Sequence, residues 1–383
     1  MSASEKEMES LRAGRSRRPL LAAVGVVAVA AILLAYGAMS GWFAGSGTQG
    51  ATVILVGAGA TFPYPLINKW SLEYHDLTGV QVNYQSIGSG GGIAQITGKT
   101  VDFGASDAPL TSAEREAAPN LLHIPETIGA VVFVYNLPGV PTGLNLTGPT
   151  IADIFLGKIT KWSDPNITAD NPGTSLPDEN IFVVHRSDGS GTTFVWTDYL
   201  TKVSSDWAST LGTGKSVNWP VGLGAKGNEG VAGVVAGNRY AAGYVELAYA
   251  TLQKMTFARI KNHAGNFLLP TLDSTAAAAG NAAPTLPRGE DDWSHVSIVN
   301  APGADSYPVA SFSYLLVYRE LNVYGSSMTQ TKARALVDFL WWVVHDGQAY
   351  ASDLLYVPLP PAVVELNERS LGLITFGGIP VRA

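Results

Sequence analysis

From Pro19 to Asn68 the chain carries no charged side chain, and the first half of that stretch is the apolar run PLLAAVGVVAVAAILLAYGAMSGWF (19–43). Its length is close to the ~20 residues a helix needs to cross a bilayer. Ahead of it, residues 1–18 hold five basic groups (Lys6, Arg12, Arg15, Arg17, Arg18) against three acidic ones (Glu5, Glu7, Glu9). That excess of positive charge keeps the tail cytoplasmic and sends the remainder across the membrane. A cleavable signal usually has an apolar stretch of only ~7–15 residues and a small-x-small exit, for which the candidates between Ala35 and Ser40 are poor. The expectation is an N-terminal transmembrane helix at 19–43, an anchor rather than a cleaved signal, with 1–18 as basic tail and 44–52 as tether. On the outer side, Asn145-Leu-Thr147 and Asn166-Ile-Thr168 are candidate glycosylation sequons.

At 383 residues the chain is longer than a single core of ~250–300 residues, so more than one domain is expected. With 46% apolar and 14% charged residues it can bury a core and is not intrinsically disordered. Having no cysteine, it can make no disulfide, thiolate metal site, thiol nucleophile or cysteine-linked lipid anchor. Beyond residue 18 there are 19 basic and 28 acidic residues, a net charge of −9. Such a body is unsuited to nucleic acid or an anionic membrane surface, and any anion it binds must be held by local groups. Strand-like runs at 52–56, 80–84, 101–104, 130–135, 181–185 and 242–244 alternate with helical stretches, as in a mostly parallel α/β protein. Leu66, Trp70, Tyr74 and Leu77 recur at helical spacing, and 331–351 reads as a long apolar helix. The low-complexity stretch 274–289 reads as a surface helix end or loop.

Several tempting motifs fail on spacing. LGTGKS (211–216) has Ser209 where a phosphate loop needs its first glycine, and GAGATF (57–62) lacks the third glycine of a dinucleotide fingerprint. The turn at 187–191 falls one residue short of a nucleophile elbow, and the six histidines are scattered without ligand spacing. No metal cluster and no acid–base pair emerges, so neither an enzyme nor a cofactor is expected. What survives is a repeated design, in which a turn of small residues with a hydroxyl stands where a helix should begin. It occurs at Ala58–Pro63, Gly88–Gly92 and Ser187–Thr193, accompanied by Asp107 in DFGASDAPL and by Arg186. In each turn the Ser or Thr can cap the helix, and free N–H groups at helix starts attract anions. Taken alone, these turns fit either convergence on one small oxyanion or three unrelated structural caps.

Seven longer motifs add to this reading: GAGATFPYPLINKW (57–70), VNYQSIGSGGGIAQI (82–96), TVDFGASDAPL (100–110), FLGKITKWSDP (155–165), VVHRSDGSGTTFVWTDYL (183–200), VNWPVGLGAKGNEGVA (217–232) and AAGYVELAYA (241–250). In this order, across nearly all of 54–360, they resemble the phosphate-specific solute-binding proteins of ABC transporters. The resemblance implies an α/β, type II periplasmic-binding-protein fold with two α/β lobes, a ligand cleft and crossing hinge strands. Lobe 1 would be discontinuous, 51–130 plus 309–383, and lobe 2 would span 131–308. Carried over by position, Thr61, Phe62, Ser89, Asp107, Arg186, Ser190, Gly191 and Thr192 would bind phosphate, with Asp188 pairing with Arg186. Ser86 and Gly90 depart from the family pattern, standing where glycine and serine are expected, and His185 replaces another basic residue.

The implied function is to bind inorganic phosphate outside the membrane and deliver it to an ABC importer; the alternative is a phosphate-sensing or scavenging protein not coupled to a permease. Implied partners are the permease subunits and their cytoplasmic ATPase, with the binding body a monomer. Hydrogen phosphate has an O–H to donate whereas sulfate offers only acceptors, so an ionised Asp107 in a dry cleft would select between them.

Overall fold

Three short strands open the fold: β1 (Ile54–Gly59), β2 (Gln81–Ser86) and β3 (Phe103–Ser106). They are parallel, with β1 in the middle, and are connected through helices α1 (Tyr64–Thr78) and α2 (Ser89–Thr97). The computed structural model describes residues 52–280 and 282–382. The expected tail and anchor, and all but the last residue of the tether, lie outside the described residues. Among those described, no helix is long and apolar enough to cross a membrane.

Beside these strands, β4 (Leu121–Tyr135) is buried along its whole length and serves two sets of neighbours. Its first part, Leu121–Ala130, pairs antiparallel with β9 (Ala310–Tyr318), and its last part, Val131–Tyr135, pairs antiparallel with β7 (Ala241–Glu246). Two further strands, β5 (Phe182–Arg186) and β6 (Leu223–Ala225), run parallel to each other, and β5 also runs parallel to β7. With β8 (Thr256–Phe257) paired to the end of β4, the nine-stranded order is β2-β1-β3-β9-β4-β7-β5-β6. The sheet is thus mixed rather than mostly parallel. A strand covered on both faces shows no polar alternation, which is why the first half of β4 and all of β9 escape a reading by pattern.

One irregularity in β4 matters below. Tyr314 stands opposite Pro125 and Ser313 opposite Thr127, so Glu126 is the extra residue of a β-bulge. Pro125, which has no N–H to give to the ladder, suits such a place. The Gln348 side chain donates to the Glu126 carbonyl at 3.0 Å, giving the bulged backbone a partner.

Helix α1 buries Leu66, Trp70 and Tyr74 as its spacing predicts, together with Ile67, and Trp70 donates to the Gly347 carbonyl. Leu77, on the same predicted stripe, is 67% exposed because the helix ends at Thr78 and Gly79 turns away with φ +76°. The helix expected at 331–351 spans Gln330–Val344 and continues as a 3-10 turn. The 274–289 stretch is not merely surface: a helix at Leu272–Gly280 buries Ser274, Thr275, Ala278 and Ala279.

Helix α2 lies so close to the strand ends that a Cβ on Gly92 would stand 2.4 Å from the Gly59 Cα and 2.7 Å from the Ala58 carbonyl oxygen. We expect Gly92→Ala to lower unfolding free energy by about 1–3 kcal/mol through overpacking, read from urea denaturation.

Candidate functional site

The carboxyl ends of β1, β2, β3 and β5 lead into turns that converge on one buried region, which is where ligands sit in open α/β sheets. From β1 come Thr61 and Phe62, from the start of α2 comes Ser89, and directly after β3 comes Asp107. From β5 come Arg186 and Asp188, and Ser190, Gly191 and Thr192 begin α3 (Gly191–Val203). Apart from Asp188, which is partly exposed, every one of these residues is buried. The nine positions expected from sequence are therefore brought together.

Their hydroxyls act differently from the expectation of three caps. Only Ser190 caps a helix, accepting from the Thr193 N–H at 3.0 Å. Ser89 is the first residue of α2, and its Oγ accepts from the Gly191 N–H at 3.0 Å and the Asp107 N–H at 3.3 Å. Thr61 Oγ1 accepts from Asn228 Nδ2 at 2.8 Å, and the same amide donates to Thr192 Oγ1 at 3.1 Å. Among the described residues neither threonine hydroxyl has an acceptor for its own proton, and neither do the Thr61 and Phe62 N–H groups.

Arg186 is fixed by a fork to Asp188, from Nε at 2.8 Å and Nη2 at 2.5 Å, and its Nη1 lies 3.4 Å from Thr192 Oγ1. Gly227, at φ +74°, lets its N–H reach Asp188 Oδ1 at 3.1 Å. A guanidinium has five donors, so this pairing leaves some of them for another acceptor. The region thus holds a surplus of donors around one carboxyl group, Asp107. That chemistry suits a small tetrahedral oxyanion carrying at least one proton.

The turns meet at backbone distance. Gly90 donates to the Gly189 carbonyl at 2.8 Å, and a Cβ on Gly191 would stand 2.4 Å from both Asp107 Oδ2 and Ser89 Oγ. Lys215 Nζ and the Glu114 carboxylate close the same seam at 2.7 Å from outside.

Comparison with known proteins fits this geometry. A family model described as the PBP superfamily domain matches residues 46–346. The phosphate-binding protein PstS of Xylella fastidiosa (strain Temecula1) is 47% identical over 329 residues, covering 84% of this chain and 86% of the relative. That of Pasteurella multocida is 49% identical over 319 residues, covering 83% and 89%. The chain belongs to the PstS family within the PBP superfamily. The fold agrees: a high-affinity periplasmic phosphate-binding protein (PfluDING), solved with phosphate bound, superposes with a TM-score of 0.65 at 22% identity, over 83% of this chain and 94% of that one.

In this PstS-family chain the electrostatics of the region follow from burial. Burial pushes the Asp107 carboxyl up to about 7, against the opposing pull of the Ser313 hydroxyl, the Arg186 charge and Ser89. Burial would raise Asp188 too, but the hydrogen bond and charge of Arg186 hold it below the usual carboxylate range. Around them stand residues that the sequence reading passed over. Ser313 on β9 donates toward Asp107 Oδ1 at 2.9 Å, and Tyr249 donates to the Thr61 carbonyl at 2.6 Å. Tyr356 donates to the Phe62 carbonyl at 2.7 Å, and its hydroxyl oxygen lies 3.0 Å from Glu246 Oε2; burial holds Glu246 well above its ordinary range. A carboxylate inside an apolar strand, as at Glu126 and Glu246, was the signal available for two of them.

Asn228, at the start of α4 (Gly227–Gly237), joins three elements: its amide serves Thr61 and Thr192, and its Oδ1 accepts from the Glu246 N–H at 3.0 Å. Asn228→Ala leaves the buried Glu246 N–H without its acceptor, takes one donor each from Thr61 and Thr192, and is expected to cost about 2–3 kcal/mol in chemical denaturation.

Proposed function

We propose that this chain binds inorganic phosphate outside the membrane and delivers it to an ABC-type phosphate importer. The observation that carries this reading is the carboxyl group of Asp107, 1% exposed and set among N–H, hydroxyl and guanidinium donors, while the neighbouring Asp188 is taken up by Arg186. Thr61, Phe62, Ser89, Arg186, Ser190, Gly191 and Thr192 would surround the anion with donors, and Asp107 would accept from its O–H. Asp188 aligns the guanidinium, so that the planar fork meets two oxygens at once. Sulfate, having no O–H, would face the ionised carboxylate with a lone pair and a like charge. The proposal involves no covalent step.

In this proposal 51–130 with 309–383, and 131–308, act as two lobes, and the long strand β4 is one of the hinge strands between them. Donors from both sides of the cleft reach the same anion, so phosphate favours the closed arrangement, and the closed face is what a permease recognises. The apolar run at 19–43 holds the binding body on the outer side of the membrane as a monomer.

Calorimetric titration of the phosphate-free protein tests the reading, with saturable phosphate binding and far weaker sulfate binding expected; equal binding of both anions, or of neither, refutes it. Asp107→Ala should weaken phosphate by ~10–100-fold, the worth of a charge-assisted hydrogen bond, and sulfate by much less. The pH dependence has a definite sign. Below the Asp107 titration at about 7 the carboxyl is a donor that sulfate can accept from, and above it the carboxylate rejects sulfate. The phosphate-to-sulfate affinity ratio should therefore rise from about pH 6 to about pH 8.

A further inference from the structure

Behind Asp107, away from the donors, stands a second buried carboxyl group. Ser313 Oγ lies 2.9 Å from Asp107 Oδ1 and 2.9 Å from Glu126 Oε1. A serine hydroxyl has a single proton, so it cannot donate to both. Two ionised carboxylates on one hydroxyl would leave one contact as oxygen lone pair against oxygen lone pair, both fully buried. The arrangement closes only if one of the acids carries a proton and donates it to the serine oxygen.

Which acid does so follows from the surroundings. Asp107 has the Arg186 charge and the Ser89 hydroxyl on its side, both favouring its ionised form. Glu126 has no cation: Oε1 faces Ser313, and Oε2 is buried with no hydrogen-bond partner among the described residues. An ionised carboxylate with a bare oxygen in a dry interior is far more costly than a neutral acid. The remaining ionisable groups do not change the order. Tyr84 on β2 interacts with both acids, and Tyr314 on β9, Tyr356 and Glu246 at the end of β7 interact with Asp107; burial pushes all four up, and none of them is a cation. Burial and the Asp107 charge likewise push Glu126 up to about 8, above Asp107, although the Ser313 hydrogen bond opposes this.

We propose that Glu126 is a positioning residue for anion selection: it holds a proton, donates it to Ser313, and so obliges Ser313 to donate to Asp107, which stays an acceptor. The β-bulge on β4 is the device that puts it there, since Glu126 is the residue without an opposite number on β9. The chain of donation runs one way, from Glu126 through Ser313 to Asp107, and leaves a free lone pair of Asp107 toward the ligand. If Glu126 ionises, it competes for the Ser313 proton and sets a second negative charge behind the site.

This inference rests on the phosphate-binding reading above, and its test separates the two. Phosphate affinity of the full chain is measured by calorimetry from about pH 7.5 to about pH 9.5, where hydrogen phosphate remains a dianion with one O–H. The wild type is expected to lose about tenfold in affinity over this range as Glu126 releases its proton, up to tenfold per pH unit between its free and bound titrations. Glu126→Gln, which keeps an N–H for Ser313 and cannot ionise, is expected to give a flat profile whatever its absolute affinity. A wild type that binds phosphate with no alkaline loss, or a glutamine variant that loses affinity in parallel with it, overturns the role of Glu126. A wild type that binds no phosphate at pH 7.5 refutes the binding reading instead.

If Glu126→Gln does not fold, Ser313→Ala supplies the second test, because it removes the relay and changes little in volume. Without its donor Asp107 holds a proton to higher pH, so the pH at which phosphate gains its advantage over sulfate should shift upward. An unchanged midpoint overturns the relay.

Discussion

Asp107 keeps a carboxyl group out of water, and the structure around it is arranged to make that tolerable. A bare buried carboxylate would be several kcal/mol too costly, so it must be neutralised, paired or hydrogen-bonded. Here the pairing is indirect. Arg186 acts from a distance while holding Asp188 in its fork, Ser89 and Ser313 supply hydroxyls, and the Gly191 backbone comes close because it has no side chain. None of these groups satisfies the carboxyl fully. An unsaturated acceptor ringed by unspent donors is a state that a protonated oxyanion would complete, and the anion preference we propose follows from that incompleteness.

The same economy explains the glycines. A Cβ on Gly88 would stand 2.3 Å from Asp188 Oδ2, and Gly90 and Gly189 already join through a backbone hydrogen bond. Turns that carry donors from distant parts of the chain can meet over one small volume only if they have little side chain of their own. Larger partners are then pushed to the flanks, where Asn228, Tyr249 and Tyr356 tie the turns to β7 and to the segment near residue 356.

Much of the site could be read from the sequence because its residues lie in short local motifs, where glycine, a hydroxyl and a helix start occur within a few positions of each other. Arg186 and Asp188 are two residues apart, and Ser190 to Thr192 are contiguous. The order of the strands was less accessible. β4 and β9 show no polar alternation sustained along their length, and their pairing joins residues near 125 to residues near 314, which no local signal announces. Ser313 was invisible for the same reason, an ordinary residue in an apolar strand, and Glu126, though conspicuous as a carboxylate there, gives no hint of its partner until the register is known. The caps misled in the opposite direction, since Thr61 and Ser89 have the right type for capping but direct their hydroxyls elsewhere.

The place of β9 between β3 and β4 also bears on how the chain is made. Until Ala310–Tyr318 has left the ribosome, β3 and the first half of β4 have no partner on their facing edges, and the segment 136–309 must be synthesised in the interval. At ~5–20 residues per second that interval lasts roughly 10–35 s. Through it the nascent chain presents two unpaired strand edges of the kind that join to other chains. A protein of this topology thus leaves its central sheet incomplete until late in its own synthesis, because the strand that joins β3 to β4 comes last.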